Sequence, residues 1–65
     1  MRKRQALNSF SYWSEQIITP SGKTNEKAVI MREAWAWAID SGFYKRLPSD
    51  VLKSDEILFK KFINK

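Results

Sequence analysis

Cysteine and histidine are both absent from the 65 residues. Without cysteine there is no disulfide to staple so short a chain, and no thiolate for zinc or redox chemistry. Without histidine the commonest general base and metal ligand are missing, as is the side chain that titrates nearest neutrality. No apolar run approaches the roughly 18 residues needed to cross a bilayer. Repeats and low-complexity tracts are also lacking. Glycine and proline occur only twice each, and the four positions mark the breaks in the pattern. What remains to hold the chain together is apolar packing, helix formation or association.

Apolar material is plentiful. Hydrophobic residues make up 43% of the chain, including three Trp and four Phe, a content that opposes disorder. A domain of this size buries only about 60% of the surface its unfolded chain exposes, so some large apolar side chains are expected to stay partly exposed. Met1-Arg2-Lys3-Arg4 has the charge of an export leader, but residues 5–14 are too polar to continue one. The expectation is one small domain over 1–65, cytoplasmic, with residues 1–4 a flexible basic arm.

The net charge is +5. Arg2, Lys3 and Arg4 at one end and Lys60, Lys61 and Lys65 at the other carry the excess, while the sequence between them is nearly balanced.

Three helical segments are legible. Over 5–18, Ala6, Phe10, Trp13 and Ile17 share one arc at 100° per residue, flanked by Leu7 and Ile18. A strand over 9–13 is the alternative, but Trp13 and Ser14 break its alternation. Thr19-Pro20-Ser21-Gly22-Lys23 then reads as a turn. The clearest helix follows over 25–41, with Thr24 or Asn25 as N-cap and Gly42 as the left-handed residue that ends it. Ala28, Met31, Trp35, Ala38 and Ile39 form a core face about 100° wide. Glu26, Glu33 and Asp40 recur every seven residues as an acidic stripe, and Ile30, Ala34 and Trp37 form a second apolar ridge beside it. Residues 44–47 read as a connector, with a boundary at Pro48.

The last segment poses a problem. An unbroken helix from Ser49 onward would place Asp55 in the centre of the stripe Val51, Leu52, Leu58, Phe59 and Phe62. An unpaired carboxylate there is costly. A break with Ser54 as N-cap avoids it, giving a short helical turn through Lys53 and a last helix over 55–64. The expected fold is all-α: a small three-helix bundle with a short extra helical turn before the last helix.

Candidate chemistry is thin. Gly22-Lys23-Thr24 precedes a helix as a phosphate-binding loop does, but Ile17 stands where that motif needs its first glycine. Neighbouring carboxylates of the acidic stripe are separated by about 10.5 Å along the helix axis, too far for a catalytic pair or an oxygen cage for a metal. Ala38 and Gly42 have helix-turn-helix spacing, but Pro48 would fall inside the recognition helix. The lysine-rich last helix resembles a membrane-surface helix, and equally any small bundle helix. We therefore expect no enzyme, cofactor, metal or small-molecule substrate.

The leading expectation is a non-catalytic protein-binding module: an adaptor, inhibitor or self-associating regulator. Trp37, with Ile30 and Ala34, would be its apolar anchor and Glu26, Glu33 and Asp40 its rim, since Trp is enriched at binding hot spots. A core broad enough to bury both ridges would account for the same residues, because the central helix of three touches two partners. The alternative function is nucleic-acid binding through Arg2, Lys3, Arg4, Lys60 and Lys61, which needs the chain ends to meet and would weaken steeply with salt.

Overall fold

A computed structural model of the chain describes residues 1–64. It is all-α: α1 spans Lys3–Glu15, α2 Glu26–Ser41 and α3 Val51–Ile63, with a 3-10 turn at Phe43–Arg46 between α2 and α3. No strand is present among the described residues, and no helix is long and apolar enough to cross a membrane.

Each boundary has a local cause. At the start of α1 the Arg2 amide donates to Oε1 of Gln5 at 3.0 Å, satisfying one of the free amides of the first turn. Lys3 and Arg4, expected in a flexible arm, form that first turn. The helix stops at Glu15, three residues before the 5–18 pattern does. Pro20 disfavours helix at Thr19, and the flanks of the turn pair with each other instead. Asn25 donates its amide to the Ile17 carbonyl at 2.7 Å, and Thr19 donates to Lys23 at 3.0 Å. Ile18 and Thr24 close this as an isolated antiparallel bridge.

Asn25 caps α2, its side chain accepting from the Ala28 amide at 3.3 Å. Gly42 ends it at φ 80°, a left-handed conformation that favours glycine. The buried positions of α2 are Ala28, Met31, Ala34, Trp35 and Ala38. Four of the expected core face are among them and Ile39 is half-buried; Ala34 of the second ridge is fully buried too. α2 is the central element, packing on α1 through Ala6 and Ser9 and on α3 through Leu58. Small side chains at these positions set a close helix approach.

The expected break inside the last helix is corrected. α3 runs unbroken from Val51, capped by Asp50, whose Oδ1 accepts from the amides of Leu52 (3.1 Å) and Lys53 (3.4 Å). Ser54 is no N-cap: it is buried in the helix, and its hydroxyl donates to the Pro48 carbonyl. The reason for expecting a break was an unpaired Asp55, and Asp55 is not unpaired.

Candidate functional site

Oδ1 of Asp55 accepts from two indoles at once, Trp35 Nε1 at 2.9 Å and Trp13 Nε1 at 3.2 Å. Trp35 is wholly buried, while Trp13 and Asp55 are half-buried. Indole N–H is a donor with no acceptor capacity, so a buried Trp needs a partner of this kind. One carboxylate oxygen therefore ties α1, α2 and α3 together. Among the described residues no buried side-chain polar atom is left without a partner.

This node lies in a groove between α1 and α3. α1 and α3 each pack on α2 far more than on each other. The space between them is a cleft of about 640 Å³. Its α1 wall is Gln5, Asn8, Ser9, Tyr12 and Trp13, at the three- and four-residue spacing of one helix face. Its α3 wall is Val51, Leu52, Asp55, Glu56 and Phe59. Met31 and Lys27 of α2 form the floor. Leu52 is 81% exposed, and Tyr12 and Val51 at the rim are exposed as well. Tyr12 stands edge-on to Trp13, with ring centroids 5.2 Å apart. The cleft is thus apolar on its walls and carries charges of both signs, Lys27 against Asp55 and Glu56.

The residues expected to form the binding ridge are not presented together. Ala34 has no exposed surface and belongs to the core, which corrects its assignment to an interface. Ile30 is half-buried, and Glu33 and Asp40 are exposed as expected of a solvated face. Trp37 is half-buried against the core, its ring 5.2 Å from that of Phe43 and 6.2 Å from that of Phe62. The second ridge of α2 is mostly packing surface: Ala34 is part of the buried core cluster, and Phe43 of the short turn and Phe62 near the end of α3 pack on Trp37.

The basic residues are distributed in a way the sequence did not show. The terminal ammonium of Met1 donates to the Leu47 carbonyl at 2.7 Å, drawing the N-terminus onto the segment after the short turn. Met1, Arg2 and Arg4 line a hollow there with Gln5 and Ser49. On another side of the same segment, Lys61 lines a hollow with Lys45 and Arg46. Lys3 is exposed on α1. Lys60 turns to Glu56 in an exposed ion pair of 3.2 Å. Lys65 lies outside the described residues. The chain ends are thus brought to one segment, Phe43–Ser49, by separate contacts.

No group of three or more acidic residues among those described is placed to hold a metal ion. Sequence reasoning missed the groove, although one signal was present. An acid at the centre of an apolar stripe, in a chain with three tryptophans, needs donors, and indoles are the donors this composition supplies. Comparison with known protein families, curated proteins and solved structures finds no match to this chain.

Proposed function

We propose that the chain is a non-catalytic, self-associating protein-binding module, and that its interface is the α1–α3 groove rather than the Trp37 ridge. The observation that carries this reading is the open cleft itself. Two helices leave an apolar trough between them, with Leu52 exposed at its rim, Met31 and Lys27 on its floor, and Trp13 and Asp55 hydrogen-bonded to each other across its walls.

A second copy is the occupant that the chemistry favours. The groove holds Lys27 as well as Asp55 and Glu56, so one surface carries both signs. A two-fold axis would set each Lys27 facing the acids of its partner, the self-complementarity an isologous dimer requires. The α1 and α3 walls of two copies would then pack face to face as a four-helix layer, with Leu52 and Tyr12 interdigitating. Small domains gain proportionately from such burial, since their own cores are limited.

The test is the solution mass of the whole chain across a concentration series, by sedimentation equilibrium, for the native sequence and for Leu52→Asp. Leu52 is so exposed that the substitution leaves the isolated fold intact, which far-ultraviolet circular dichroism checks. The expected result is a native monomer–dimer equilibrium abolished in the variant. A native chain that stays monomeric at every concentration, or a variant that dimerises equally well, overturns the proposal.

A further inference from the structure

The carboxylate that joins the three helices uses only one of its oxygens to do so. Oδ1 of Asp55 accepts from both indoles, Trp35 at 2.9 Å and Trp13 at 3.2 Å. Oδ2 makes no hydrogen bond and no ion pair with any described residue. It is not sealed from solvent either, since no buried side-chain polar atom among the described residues lacks a partner. Asp55 lines the α1–α3 cleft together with Tyr12, Met31, Leu52 and Phe59. A half-buried carboxylate in such apolar surroundings carries a desolvation cost that a cation relieves.

The chain does not supply that cation. Lys27 lines the floor of the cleft but forms no ion pair with Asp55 or Glu56 among the described residues. Lys60 turns to Glu56 instead, at 3.2 Å. The acid is also fixed in advance. Indole N–H groups from two other helices hold it, so a ligand that meets it does not have to order it. The cleft, about 640 Å³, is within the roughly 300–1,000 Å³ range of small-molecule sites. Its walls have the character of such sites too: mostly apolar and aromatic, with a few polar groups, Gln5 and Asn8 beside the acid.

We propose that the cleft is a binding site for an organic ammonium ion with an apolar, ring-sized body. The ammonium donates to Oδ2 of Asp55, and the body fills the space between Tyr12, Leu52 and Phe59 above Met31. Tyr12, 53% exposed at the rim, adds a cation–π contact. A neutral body of the same shape gains only the apolar contact, and an anion is repelled by Asp55. The effect on assembly rests on the self-association reading. The ligand covers Leu52 and Tyr12 and takes the place of the cation that a second copy would bring, so the two compete and the ligand dissolves the dimer. Binding itself needs no dimer.

The experiment uses three probes of one shape: phenethylamine, protonated at neutral pH as lysine is, phenethyl alcohol and phenylpropionate. Each is titrated into the isotope-labelled full chain, and the Trp13 indole N–H signal is followed by NMR. The expected result is an affinity for the amine about tenfold or more above that for the alcohol, from one hydrogen bond to a charged group, with phenylpropionate weakest. Asp55→Asn keeps an acceptor for the indoles and loses the charge, and should bring the amine down to the affinity of the alcohol. Tyr12→Ala, at an exposed position that keeps the fold, should weaken the amine about threefold. Equal affinities of amine and alcohol for the native chain, shifts confined to residues outside the cleft, or no saturable shift overturns the proposal. Sedimentation of the native chain with and without saturating amine separates this site from the self-association reading. A chain that is monomeric without the amine yet binds it in the cleft supports the site and overturns self-association alone. A dimer that neither binds the amine nor responds to it overturns the site alone.

Discussion

Removing the Asp55 carboxylate should destabilise the chain more than any other single polar truncation. Asp55→Ala deletes the acceptor of both indoles, leaving Trp35 Nε1–H wholly buried with nothing to bond. A buried donor stripped of its partner costs about 1–3 kcal/mol. Trp13 is half-buried and regains part of its loss from water, so its share is nearer the low end. The sum is about 3 kcal/mol. A domain of this length has about 3–10 kcal/mol in total, so the variant is at or near the threshold of folding. With an unfolding entropy scaled to 65 residues, 3 kcal/mol corresponds to a fall of about 20 °C in Tm. Asp55→Asn keeps an oxygen acceptor without the charge and should cost about 1 kcal/mol. The assay is urea unfolding followed by circular dichroism at 222 nm, which does not depend on the tryptophans being perturbed. If Asp55→Ala and Asp55→Asn both unfold at the native midpoint, the carboxylate does not join the three helices.

Two further substitutions probe the packing. Trp37→Ala should cost about 3 kcal/mol, since Trp37 packs against the core between Phe43 and Phe62; native-like stability would place its ring in solvent and restore the ridge as an interface. Gly42→Ala meets no atom within 4 Å, so any loss measures only the left-handed backbone, about 1–2 kcal/mol in the same urea assay.

The helices were legible because local chemistry decided them. Asn25, Gly42, Pro20 and Pro48 each act within a few residues, and the face of α2 followed from 3.6-residue spacing alone. The failures share one cause: each depended on a partner distant in sequence. Asp55 looked unaffordable as a mid-helix residue because its donors are 42 and 20 residues away. Trp37 looked surplus because Phe43 of the short turn and Phe62, which pack on it, cannot be positioned from a helical wheel. The groove was invisible for a related reason. A wheel shows that α1 and α3 each have an apolar face, but not that the two faces stand apart over Met31.

The most direct test of the α1–α3 interface is an isotope-filtered NMR experiment on a mixture of labelled and unlabelled chains. It reads only contacts between different copies. The groove interface predicts cross-peaks from the Leu52 methyls of one copy to the Tyr12 ring of another, and their loss on dilution. Intermolecular cross-peaks confined to Leu7 or Ile57, which lie off the groove, would contradict it, as would the absence of any such peaks at high concentration.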